Sequence, residues 1–90
     1  MTLGPVGLLI QSKLQAAFAP ARLEVLDESY RHEGHGGARP EGETHFRVKL
    51  RAEAFRGQSR VAQHRHINAA LSDIIGKPVH ALAIESGAPE

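Results

Sequence analysis

Cysteine does not occur in the 90 residues, so neither a disulfide framework nor a thiol nucleophile is available. Any soft-metal chemistry would need thiolates from another molecule. Aromatic residues make up 4% of the chain, which leaves few rings for stacking on nucleic-acid bases. An excess of either charge is also missing. Eleven Lys and Arg stand against ten Asp and Glu, a formal net charge of +1, so attraction to nucleic acid or an anionic membrane must come from a local patch. The apolar start of the chain is ended by Gln11, Ser12 and Lys13, well short of the roughly 20 residues a membrane span needs. It also lacks the basic leader and cleavage pattern of a signal peptide. A cytoplasmic protein that does not enter the membrane is the expectation.

What is present suits one small folded domain covering residues 1–90. Hydrophobic residues at 41% with charged residues at 23% are ordinary for a globular chain, and the length supports a single modest core. No internal repeat is visible. Val6, Ile10, Leu14 and Phe18 recur every fourth residue, which predicts a helix over 5–18 with Pro5 in its first turn and Pro20 as its stop. Leu23 and Val25 share one face of a strand over 22–27. Gly34, Gly36, Gly37, Pro40 and Gly42 then break regular structure, leaving a long Gly-rich loop over 29–43. His45 to Arg51 alternates, with Phe46, Val48 and Leu50 inward and His45, Arg47, Lys49 and Arg51 outward. After a turn at Phe55-Arg56-Gly57-Gln58, Ser59 reads as the cap of a helix running to about Ile75, stopped by Gly76 and Pro78. A last strand over 79–84 follows, and residues 1–4 and 86–90 are expected to fray. The order α-β-β-α-β predicts an α+β fold. Two antiparallel strands are joined by a third, parallel strand through a helical crossover, giving a three-stranded mixed sheet covered on one face by helices.

The chemistry-bearing residues are mainly histidines. On residue type alone, His80 reads as a strand-end histidine satisfied by a backbone partner, or as a metal ligand. His32 and His35 read as solvated loop residues, since a pair three apart with no second ligand pair is a weak zinc signal. His64 falls on the stripe formed with Ile67, Leu71 and Ile74 and reads as a packed structural histidine. His35-Gly36-Gly37 has no accompanying Gly-x-Ser-x-Gly elbow, and the Gly-rich loop has no Walker lysine, so neither hydrolase nor nucleotide-binding chemistry is supported. No enzyme is expected. A second reading is weak, sequence-indifferent binding of DNA along Arg47, Lys49 and Arg51, with Arg60 and Arg65 nearby. Gly57-Gln58-Ser59-Arg60 keeps only the first glycine of the Gly-x-x-Gly loop with which KH domains clamp RNA.

An ordered set of segments resembles the BolA family along nearly the whole chain. The matching segments are Leu23-Glu24-Val25, Asp27-Glu28-Ser29-Tyr30-Arg31-His32, Glu43-Thr44-His45-Phe46-Arg47-Val48, Phe55-Arg56-Gly57, His64-Arg65 with Asn68, and Val79-His80-Ala81-Leu82-Ala83. Gln63 departs from the pattern, which usually has arginine there. The resemblance implies a fold similar to the type II KH domain. It also implies a heterodimer with a monothiol glutaredoxin bearing a Cys-Gly-Phe-Ser motif, the two proteins sharing a bridging 2Fe-2S cluster. His80 then matches the ligand of the last strand and His32 the ligand of the variable loop, with His35 as the alternative loop ligand. The remaining ligands would be a glutaredoxin cysteine and a glutathione thiolate, so the cluster would form only in the complex. Imidazoles replace two thiolates on one iron in Rieske centres, so such ligation is chemically sound. Family members are also described as DNA-contacting regulators.

Overall fold

The computed structural model describes residues 3–29, 43–76 and 79–90. It contains α1 (Pro5–Phe18), β1 (Arg22–Asp27), β2 (His45–Arg51), a 3-10 turn (Glu53–Phe55), α2 (Arg60–Ala70) and β3 (Ala81–Gly87). The strands form one sheet in the order β1-β2-β3. β1 pairs antiparallel with β2, and β3 joins β2 in parallel. This is the expected α+β layering, with the crossover running through α2.

Alternation along β2 sends Phe46, Val48 and Leu50 into a core shared with Ile10 and Leu14 of α1, Ile67 of α2, and Leu71, Ile74, Val79 and Phe55. Both helices therefore cover that face of the sheet, and Arg47, Lys49 and Arg51 lie on the other. Phe18 packs against Phe55 with ring centroids 5.0 Å apart, tying the end of α1 to the turn before α2. α1 ends at Ala19, which takes a left-handed conformation (φ 43°) while its N–H reaches the Gln15 carbonyl. Pro20 follows, and it cannot extend a helix.

Three sequence expectations are corrected. The second helix stops at Ala70 rather than near Ile75, because the chain tightens into shorter-range turns in which the Ile74 N–H reaches the Leu71 carbonyl. Gly76 at φ 93° then reverses the chain. The last strand begins two residues later than expected and runs to Gly87, so Ser86 and Gly87 are paired with β2 rather than frayed. On α2 the buried face is Gln63 and Ile67, continued by Leu71 and Ile74; His64 is only half-buried. Gln63 can take this place because its amide is satisfied. It donates to the carbonyls of Gln58 (2.9 Å) and Phe55 (3.4 Å) and accepts from the Ser86 hydroxyl (2.7 Å).

Candidate functional site

His80 sits between the isolated pairing of Val79 with Ile75 and the first residue of β3. Its backbone is fixed: the N–H groups of His80 and Ala81 both donate to the carbonyl of Thr44, at 2.8 and 3.2 Å. Its side chain is exposed. Beside it stands His45, the ring planes inclined by 19° and the centroids 6.3 Å apart. His45 is 9% exposed, which corrects the outward placement expected from alternation. It does lie on the Arg47 side of β2, as alternation predicts, yet it is buried there rather than open to solvent. The Thr44 hydroxyl hydrogen-bonds His45 Nδ1 at 2.8 Å, setting the orientation of that ring.

A polar knot next to this pair joins residues 27–29 to residues 43–45. The Ser29 hydroxyl donates to Asp27 Oδ1 (2.6 Å) and accepts from the N–H groups of Thr44 (2.9 Å) and His45 (3.2 Å). Asp27 also accepts from the Ser29 N–H (2.9 Å) and, through Oδ2, from the Glu43 N–H (3.1 Å). Glu43 in turn sends its carboxylate to the first turn of α1, accepting from Val6 N (2.7 Å) and Gly7 N (3.0 Å). These are donors that a helix beginning Gly-Pro cannot satisfy by itself. Gly4 is small enough to let that carboxylate approach; a β-carbon there would lie 2.6 Å from it. The segments Asp27-Glu28-Ser29 and Glu43-Thr44-His45 are visible in the sequence, but the roles of Ser29 and Glu43 are not, because their side chains serve backbone N–H groups 15 and 37 residues away.

The sequence-derived site residues are only partly brought together. His80 is placed as described, whereas His32 and His35 fall outside the described residues. Among the described residues no three histidine or carboxylate side chains form a group able to hold a metal ion. On the open face of the sheet, Arg47 is bound on both sides, to Glu28 (3.1 Å) and Glu85 (3.1 Å). Hydrogen bonding and charge from Glu28, with Glu85 adding to both, raise its pKa above the ordinary arginine value. Lys49 and Arg51 share that face, while Arg60 and Arg65 are exposed on α2, across the sheet.

Comparison with known proteins places this architecture. The profile of the BolA-like protein family matches residues 14–90. The chain belongs to the BolA family. BolA-like protein 1 from Homo sapiens is 42% identical over 87 residues, an alignment spanning 97% of this chain and 61% of the human protein. The DNA-binding transcriptional regulator BolA of Escherichia coli is 43% identical over 77 residues, spanning 86% of this chain and 70% of that protein. Among solved structures, the BolA domain of SufE1 from Arabidopsis thaliana superposes with a TM-score of 0.88 at 41% identity, covering 98% of this chain and 96% of that domain. The BolA fold here spans only 25% of the full SufE-like protein 1 of that plant.

Proposed function

We propose that this BolA protein is a non-enzymatic partner of a monothiol glutaredoxin and holds one iron of a bridging 2Fe-2S cluster through His80 and a histidine of residues 30–42, His32 or else His35. The observation that carries this reading is the exposed His80 ring on a rigid backbone at the mouth of β3. The knot of Asp27, Ser29, Glu43 and Thr44 ties together Ser29 and Glu43, the residues on either side of the histidine-bearing stretch in the sequence. The donor set fits: neutral imidazole is a competent iron ligand, and a chain without cysteine depends on partner thiolates for the other iron. Bound there, the cluster supplies electron-transfer or cluster-transfer chemistry to iron-sulfur trafficking or iron regulation. His80 binds, Thr44 fixes its backbone through its carbonyl, and the His45 ring lies alongside.

Anaerobic reconstitution with a monothiol glutaredoxin, glutathione, iron and sulfide tests the proposal. The mixture should give a visible spectrum distinct from that of the glutaredoxin cluster alone, and His80→Ala should abolish the difference. A cluster that forms on the isolated chain, or one indifferent to His80, overturns the reading. DNA contact ranks second. It is supported by the similarity to the DNA-binding transcriptional regulator BolA of E. coli and by Lys49 and Arg51, but Arg47 is committed to two carboxylates and Arg60 and Arg65 lie across the sheet.

A further inference from the structure

The open face of the sheet has a second distinctive region at the end of β2 opposite the histidines, about 20 Å away at the usual strand rise. Arg22 and Arg51 are direct partners across the antiparallel pair. Like charges placed opposite one another destabilise a sheet. Neither they nor Lys49 form an ion pair among the described residues, whereas the nearby Glu85 is taken up by Arg47. A cavity of about 420 Å³ opens here, lined by Ala21, Arg22, Lys49, Leu50, Arg51, Glu85, Pro89 and Glu90. Its far rim is the tail, where the Pro89 carbonyl accepts from Arg56 Nη2 at 3.2 Å. Gly87 has a steric part: a β-carbon at this position would fall on the Arg51 guanidinium, so glycine leaves the space that Arg51 occupies.

We propose that this cavity binds a small phosphorylated molecule, a phosphate monoester or a diphosphate, with Arg22, Lys49 and Arg51 holding its phosphate. Two guanidinium forks and an ammonium match the oxygens and charge of a phosphate dianion better than those of a monoanionic carboxylate. The volume falls in the range of small-molecule sites. A nucleic-acid strand fits less well. The positive charge does not continue along the face, since Arg47 is neutralised, and the rim carries Glu85 and Glu90.

Inorganic pyrophosphate titrated at low salt into 15N-labelled protein, followed by amide and arginine side-chain resonances, provides the test. Saturable shifts should appear at Ala21, Arg22, Lys49, Leu50 and Arg51, while acetate produces none. Combined Arg22→Gln and Arg51→Gln should weaken binding at least tenfold. Gly87→Ala, which removes no charge, should weaken it severalfold by displacing Arg51 while the core amide pattern stays unchanged. Shifts scattered over Arg60 and Arg65, or equal affinity in these variants, overturn the proposal. It also fails if duplex DNA displaces pyrophosphate with an affinity that grows with duplex length, because the cations would then serve a polyanion.

Discussion

His80 turns its ring to solvent while His45 beside it is buried, and Thr44 supports both, through its carbonyl for the His80 backbone and through its hydroxyl for the His45 ring. The same contrast between a buried and a half-exposed neighbour occurs on α2, where Gln63 takes the core position and His64 does not. Gln63→Ala strips partners from the Ser86 hydroxyl and from the Gln58 and Phe55 carbonyls. It should cost about 1–3 kcal/mol, the usual penalty for leaving buried polar groups unpaired. His64→Ala should stay within about 0.5 kcal/mol, as surface changes do. Urea unfolding of both variants measures the difference; a larger loss at His64 would restore the stripe drawn from spacing alone.

At the level of the element, α1 begins without a side-chain cap of its own: Gly4 makes no such bond and the first turn carries no acidic residue. Glu43, 37 residues from Val6, supplies the missing acceptor. It does so from a left-handed backbone conformation (φ 61°), which a non-glycine residue adopts at a cost. Glu43→Ala should lower stability by about 1 kcal/mol, the typical effect of losing an N-cap acceptor. The loss should register as faster hydrogen exchange in the first turn of α1. Gly4→Ala should have a similar effect by pushing the carboxylate away. Unchanged exchange in both variants would show that the contact does not stabilise the helix. α2 is capped more conventionally, by the Ser59 hydroxyl accepting from the Ala62 N–H at 3.1 Å, and that cap is legible in the sequence.

For the molecule as a whole, the packing of helices on sheet is tied at its surface by Lys13 of α1 reaching Asp73 beyond α2, at 2.8 Å. Hydrogen bonding from Lys13 holds the Asp73 carboxyl below its ordinary value, and Arg56 does the same for Glu53. A depressed carboxylate contributes stability that is present above its unfolded pKa and is lost as pH falls through the folded one. Both groups are exposed, so the contribution is small. Asp73→Asn should lower the melting temperature slightly at neutral pH and low salt and converge with the unaltered protein at low pH, flattening the acid limb; an identical profile would show the bridge to be inert. The ranges of α1, β1 and β2, the crossover and the mixed sheet were all determined by the sequence itself, through local periodicity, prolines at the helix ends and alternation. Family membership was legible too, in segments spread along the chain. Tertiary structure alone decided that Gln63 displaces His64 from the core, that His45 is covered, that Arg47 is neutralised by Glu85 38 residues away and that Glu43 caps α1. Periodicity states which face a residue occupies, but burial and charge at that face depend on partners that only the folded chain brings within reach.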